Sequence, residues 1–286
     1  MILIAESGST KVIWALLNRE TNQRQIITTS GINPFYQNRE DILELLQNEF
    51  KVVEREFEAI FFYGAGCANS IVNETVSSSL HLFFKTPSIH VYSDLRAAAH
   101  ALCGEREGIA CILGTGSNSC HYKEGNIVKN VSPLGFILGD EGSGAVIGKM
   151  LLSDILKDQL PSHIVELFFK EYPISSTEIL ENIYKKPFPN RYAAQFTKFI
   201  SAHLDKPELV RLVEHSFDLF ITRNILQYTE YKKLPIHFTG SIAYHFQTIL
   251  EDSLKKHHLQ IGTIVQDPMD GLMEYHLKNG GWYQQI

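Results

Sequence analysis

Cysteine is scarce, with only Cys67, Cys103, Cys111 and Cys120 in 286 residues. They form no C-x-x-C pair and share no ligand spacing with histidine, which argues against a zinc site or a disulfide framework and fits the reduced thiols of a cytoplasmic protein. Long apolar runs are missing as well. Long uncharged stretches such as residues 61–73 and 108–122 are rich in Gly, Ser and Asn, and neither offers the roughly 18 consecutive apolar residues of a membrane span. Met1 to Ala5 meets Glu6 with no basic segment before it, so no secretory signal is expected. Basic clusters are absent too: 26 Lys and Arg stand against 32 Asp and Glu, and no basic run exceeds a pair such as Lys185-Lys186. Nucleic acid is therefore not an expected partner, since its binding rests on clustered cations. The 12 histidines show no H-E-x-x-H or similar spacing, and no structural metal is expected.

What is present is ordinary globular composition, 44% hydrophobic and 20% charged, at a length that favours two halves over a single core. Apolar runs at Ile2–Ala5, Val12–Leu17 and Gln25–Thr29 predict a three-strand meander. A helical pattern follows from Ile42 to Val53, then a buried strand Ala59–Tyr63 ending in Gly64-Ala65-Gly66. A helix from Ile71 to Phe83, a strand Ile89–Tyr92 and an Ala-rich helix Leu95–Leu102 closing at Gly104 complete a βββαβαβα order.

The opening pattern returns about a hundred residues later. Ile109–Leu113 runs into Gly114-Thr115-Gly116-Ser117-Asn118, and strands at Ser119–Tyr122 and Ile127–Val131 follow around the turn Lys123–Asn126. Helical patterns then cover Gly144–Leu156, Ile164–Phe169, Ile179–Tyr184, Tyr192–His203 and Leu209–Tyr228. A strand Ile236–Phe238, a helix Ile242–Leu254, a strand Ile261–Val265 and a helix Met269–Leu277 finish the chain. The expected domains are residues 1–105 and 106–286, the second with a helical insertion and a last helix able to return to the first lobe.

Glycine and hydroxyl residues in two equivalent hairpin loops suit tight turns. The same residues let backbone N–H groups approach phosphates, and their duplication favours a nucleotide held between two lobes. Neither loop is a Walker A or G-x-G-x-x-G sequence. Asp94 follows a buried strand and opens a helix, so it reads either as a cap or as a base at the carboxyl end of a strand, where ligands of α/β sheets gather. The segment Gly135 to Gly144 sets Asp140 and Glu141 among four glycines, which reads as an acidic helix start or as backbone brought close to a ligand. Gly31-Ile32-Asn33-Pro34 suits a turn, and Thr239-Gly240-Ser241 suits a corner or an adenosine-binding edge.

Taken in order, Ser7-Gly8-Ser9-Thr10-Lys11, Gly31-Ile32-Asn33-Pro34, Ser93-Asp94-Leu95, Gly114 to Ser119, Gly135 to Gly144 and Gly240-Ser241-Ile242-Ala243 resemble the motifs of the N-acetylglucosamine kinase-like branch of the BadF/BadG/BcrA/BcrD ATPase family. The resemblance runs from Met1 to the last helix. It implies an α/β fold of two ribonuclease-H-like lobes, as in actin-like ATPases, with an ATP cleft between them. It also implies an ATP- and Mg²⁺-dependent kinase of an amino sugar, most simply at the 6-hydroxyl of N-acetylglucosamine, with glucosamine or N-acetylmuramate as near alternatives.

Residue by residue, the resemblance gives Asp94 as the catalytic base, also touching the sugar. It gives Ser9, Thr10, Lys11, Gly114, Thr115, Gly116, Gly240 and Ser241 to ATP, and Asn33, Ser117, Asn118, Gly135 and Asp140 to the sugar. Position 6 is Glu where that family usually has Asp, and Glu6 is expected to reach Mg²⁺ through water. A homodimer is left open. Two other readings stay beside this one: the ATPase activator of a radical acyl-CoA dehydratase or reductase, which needs cysteines for an iron–sulfur cluster, and a sensor that keeps the cleft without catalysis.

Overall fold

The computed structural model describes residues 1–8, 10–53, 56–67 and 69–278. They form two compact units, Met1–Glu105 together with the segment starting at Pro268, and Arg106–Asp267. The first unit runs β1 (Ile2–Ser7), β2 (Lys11–Leu17), β3 (Arg24–Ser30), α1 (Arg39–Glu49), β4 (Ala59–Gly64), α2 (Ser70–Phe84), β5 (Ile89–Ser93) and α3 (Asp94–Cys103). Its sheet has the order β3-β2-β1-β4-β5, antiparallel through the meander and parallel from β1 to β4 to β5.

Alternation along β1 and β2 explains why this sheet is covered on both faces. Leu3, Ala5, Val12, Trp14 and Leu16 pack with Ile42 and Leu46 of α1 and with Val76, Leu80 and Phe84 of α2. Ile2, Ile4, Ile13, Ala15 and Leu17 pack on the other side with Ala97 of α3. Trp14 anchors the first face, edge-on to Phe50 with ring centroids 5.3 Å apart and its Nε1 donating to Thr29 Oγ1 at 2.9 Å. Two residues expected on buried helix faces lie outside the core: Val53 falls beyond α1 and is 94% exposed, and Ile71 starts α2 at 82% exposed.

The second unit repeats the plan with β6 (Gly108–Leu113), β7 (Ser117–Lys123) and β8 (Asn126–Val131). Then follow α4 (Gly135–Leu138), α5 (Gly144–Leu156), α6 (Ser162–Glu171), α7 (Ser176–Tyr184), α8 (Pro189–Ala194), α9 (Thr197–Ala202) and α10 (Pro207–Arg223). A 3-10 turn Ile225–Gln227, β9 (Ile236–Thr239), α11 (Ser241–His245), α12 (Gln247–Lys256) and β10 (Ile261–Val265) complete it. The order β10-β9-β6-β7-β8 is the first sheet's order again, with β6 and β7 standing where β1 and β2 stand.

Three helices expected as continuous are broken. Residues 192–203 split into α8 and α9, where Thr197 Oγ1 donates to the Ala194 carbonyl at 2.7 Å. The helix expected to reach Tyr228 ends at Arg223 and tightens into the 3-10 turn, and the one expected over residues 242–254 breaks at Phe246, whose side chain is buried in the core. The short α4 was not expected.

The last helix, α13 (Met269–Lys278), packs in the first unit, with Met269, Leu272 and Met273 completing the α3 face of its sheet. Gly271 permits that approach, since a Cβ there would meet the backbone of Ala101. His276 of α13 and His100 of α3 hold one hydroxyl between them: Tyr63 Oη lies 3.0 Å from His276 Nε2 and 2.9 Å from His100 Nδ1. Burial pushes both imidazoles down to about 3, so the pair stays neutral and bridges two helices to β4.

Candidate active site

In the first unit, register brings the ends of three parallel strands into one row: Ser7 of β1 pairs with Gly64 of β4, and Gly64 pairs with Ser93 of β5. Glu6 and Asp94 therefore stand at one carboxyl edge, where open α/β sheets bind ligands. Buried Ser7 pulls the Asn33 loop to the same edge. Its Oγ donates to the Ile32 carbonyl at 2.8 Å and lies 3.1 Å from the Ile32 N–H. The Thr10 carbonyl accepts from Gly31 N at 3.1 Å, which ties the first hairpin to that loop. Thr10 and Lys11 are exposed, and Ser9 lies outside the described residues.

Asp94 is not the cap of α3. Ser93 is, its Oγ accepting from Arg96 N at 3.3 Å, and Asp94 is the first helical residue. Its Oδ1 accepts the Leu95 N–H at 2.8 Å, while Oδ2 takes no hydrogen bond from another described residue. Burial raises this carboxyl to about 6, against the opposing pull of its backbone bonds. Asn33 is pinned in a related way: its Oδ1 accepts from Phe35 N at 3.0 Å, so the carboxamide NH₂ is the part left to donate.

In the second unit, parallel pairing aligns Ile112 of β6 with Thr239 of β9, which sets the loop Gly114-Thr115-Gly116 beside Gly240. A Cβ on Gly240 would run into the Leu113 carbonyl, meeting its carbon at 2.7 Å and Gly114 N at 3.2 Å, and φ there is +117°. Only glycine fits. Gly114 has open space on the side a Cβ would take, and the Thr115 and Gly116 N–H groups donate to no protein acceptor among the described residues. Half-buried N–H groups at a loop apex beside open space suit a phosphate. The carbonyls of Gly114 and Thr115 accept from Gly144 N at 2.8 Å and Ala145 N at 3.0 Å, so the start of α5 braces the loop and its first N–H groups are already used. Ser241 is exposed at the start of α11.

Asp140 closes on the same loop. Its Oδ1 accepts from Ser117 N at 3.3 Å, and a Cβ on Gly116 would lie 3.1 Å from its Oδ2. Burial raises its carboxyl to about 6, opposed by the Ser117 N–H and assisted by the Glu141 charge. Glu141 itself is a structural tie, paired with Arg223 Nε at 2.6 Å and accepting from Asn224 Nδ2 at 3.4 Å. The glycines of this segment also differ from the expected reading. Gly139, Gly142 and Gly144 admit other protein atoms, respectively the Pro133 backbone, the Phe220 side chain and the Ala194 side chain with the Gly114 carbonyl. Gly135 alone of the four is exposed, with φ +74° and open space beside it. Asn118, second in β7, has its Oδ1 engaged by Ser119 N at 2.9 Å.

A family model for the BadF/BadG/BcrA/BcrD ATPase family matches residues 6–272. The chain belongs to that family. A candidate N-acetylglucosamine kinase from Porphyromonas gingivalis is 45% identical, covering 98% of this chain and 100% of that one with a TM-score of 0.93. A second candidate N-acetylglucosamine kinase, from Chromobacterium violaceum, is 15% identical over 96% and 98% of the two chains with a TM-score of 0.71. A ROK-family glucokinase from Streptomyces griseus, solved with glucose and AMPPNP, is 11% identical over 96% and 97% with a TM-score of 0.53. The last two show likeness of fold. Curated protein sequences give no match. Each five-stranded sheet with its helices is a ribonuclease-H-like α/β unit.

Within this BadF/BadG/BcrA/BcrD member, the turn Gly64-Ala65-Gly66-Cys67 carries more of the site than its sequence suggests. A Cβ on Gly66 would strike Asn33 Oδ1 at 2.6 Å, so this turn and the Asn33 loop press together. Burial, with the Asp94 charge, pushes the Cys67 thiol up to about 12, which keeps it a neutral neighbour of that carboxylate. The sequence signal was the strand ending in two glycines. What those glycines face depends on strand register, which local pattern does not carry.

Proposed function

We propose that the protein is an ATP-dependent kinase that transfers a phosphoryl group to the 6-hydroxyl of an amino sugar, with N-acetylglucosamine as the favoured acceptor. The observation that carries this reading is Asp94: a carboxylate at the edge of a parallel sheet, pinned through one oxygen and open at the other. Its Oδ2 takes the proton of the sugar hydroxyl as that oxygen bonds to the γ-phosphorus. The bond from phosphorus to the β,γ-bridging oxygen breaks, and ADP leaves with that electron pair. Thr10 and Lys11 with Ser9, and the N–H groups of Thr115 and Gly116, hold phosphate oxygens, while Gly240 and Ser241 take the adenosine. Asn33, Ser117, Asn118, Gly135 and Asp140 hold the sugar. The pinned amides donate and the carboxylates accept, a polarity that suits hydroxyls and an acyl carbonyl. The 45% identity with the Porphyromonas gingivalis protein supports the choice of sugar.

Glu6 lies at the carboxyl edge of β1 that Asp94 shares, and its carboxylate would hold a water of a magnesium ion whose other ligands are phosphate and water. The ion's chemistry would be neutralisation of phosphate charge.

Two experiments test these assignments. ADP release, measured over a panel of amino sugars, should be fastest with N-acetylglucosamine, and the product should gain one phosphoryl group by mass. No sugar-dependent ADP release would end the proposal. Titrated against Mg²⁺ at saturating substrates, Glu6→Gln should need more metal and reach a lower kcat, while Glu6→Asp should need less. Curves that superimpose with wild type would remove Glu6 from the metal site.

A further inference from the structure

Asn118, assigned above to the sugar, has its direction set by a residue outside that assignment. Its Oδ1 accepts two hydrogen bonds, one from Ser119 N and one from Asn130 Nδ2, each at 2.9 Å. A backbone N–H only donates, so the atom facing Ser119 is the carboxamide oxygen. Asn130 is oriented with equal clarity. Its Nδ2 also reaches the carbonyls of Ser119 at 2.7 Å and Val131 at 3.2 Å, and carbonyls only accept. Pairing of Cys120 with Asn130 and of Ser119 with Val131 places Asn130 diagonal to Asn118, on the same face of the sheet. Asn130 is exposed, yet three acceptors hold its amide. With its oxygen taken twice, Asn118 keeps its NH₂ free of protein acceptors among the described residues.

We propose that Asn130 is a positioning residue that turns Asn118 into a hydrogen-bond donor toward the substrate, and thereby selects an N-acyl sugar over the same sugar with a free ammonium group. The proposal rests on the kinase reading and on Asn118 touching the sugar. An acyl carbonyl accepts from an amide NH₂. An ammonium offers only donors, so the two face each other unpaired, and leaving polar groups unpaired on one substrate is how a site rejects it. Phe35 N fixes Asn33 in the same sense through a backbone bond alone. Asn118 has a backbone bond of that kind from Ser119 N and a side-chain donor beside it, Asn130 Nδ2, so it is the amide whose polarity a substitution at a second side chain can bias against its backbone bond.

Asn130→Asp keeps the shape and replaces the donor by a carboxylate. That carboxylate repels Asn118 Oδ1 and attracts its NH₂, so the carboxamide turns and presents oxygen to the sugar. The preference for N-acetylglucosamine over glucosamine, as a ratio of kcat/KM, should fall about tenfold. The fall should appear mainly as a higher KM for the acetylated sugar, with the ATP KM unchanged. Asn130→Ala removes the donor without the repulsion and should lower the ratio about threefold; it carries the test if Asn130→Asp fails to fold. A purely structural residue would lower the melting temperature and slow both sugars alike. A folded variant with an unchanged ratio overturns the inference while the kinase reading stands. A wild-type protein that phosphorylates no amino sugar overturns both.

Discussion

Asp94→Asn should lower kcat by about 10² to 10⁴, the usual worth of a positioned base, and leave the sugar KM within a few-fold of wild type. The fold should survive, because Ser93 caps α3 and an asparagine oxygen can still accept the Leu95 N–H. The acid limb follows from the raised carboxyl. Asp94 must be ionised to accept a proton, so kcat/KM should be flat at neutral pH and fall as pH drops through about 6. Asp140 titrates in the same range, and the limb should persist in Asp140→Asn if Asp94 is its source. Stability runs the other way. A carboxyl whose folded pKa lies above its ordinary value of 3.8 favours the protonated fold, so its destabilising charge appears as pH rises from that ordinary value through about 6. Asp94→Asn should therefore melt at or above the wild-type temperature at pH 8. Turnover within a few-fold of wild type would reduce Asp94 to a first-turn residue of α3.

Gly240→Ala should raise the ATP KM tenfold or more, leave the sugar KM nearly unchanged and lower the melting temperature by several degrees. At φ +117° and ψ 156° the backbone lies in a region closed to side chains, at a cost of about 1–3 kcal/mol. The new Cβ would add a collision with the Leu113 carbonyl, which can yield only by shifting the Gly114 loop. The damage thus falls on both elements proposed to hold the nucleotide. Initial rates against each substrate, with a thermal melt, check this. An ATP KM within twofold of wild type in a folded variant would detach this corner from ATP.

The strands were legible because each carries its own pattern: Ile261–Val265 has the expected bounds, and β1 and β2 differ from expectation by one or two residues at one end each. The duplication was legible for the same reason, since two hairpins with similar loops recur at one spacing. Helix breaks at residues 195–196 and at Phe246 were not, because tertiary packing decides them in segments whose local periodicity is unbroken. The glycines between Gly135 and Gly144 show the limit most clearly. Their number was visible, but whether each faces Phe220, Ala194 or open space depends on chain segments far away in sequence. Asn130 had no signal at all, being one polar residue on an exposed strand until pairing sets it beside Asn118.

The return of α13 to the first unit has a consequence for how the protein folds. The second unit is one continuous segment, Arg106–Asp267, so its core can close without any residue from outside that segment. The first unit, although its sheet comes first in sequence, lacks Met269, Leu272 and Met273 until α13 docks, and Ile2, Ile4 and Ala15 then face an unfinished layer. Order in sequence and order of completion are thus reversed, and a refolding chain with α13 undocked would carry one finished unit and one with an apolar sheet face open to chaperones.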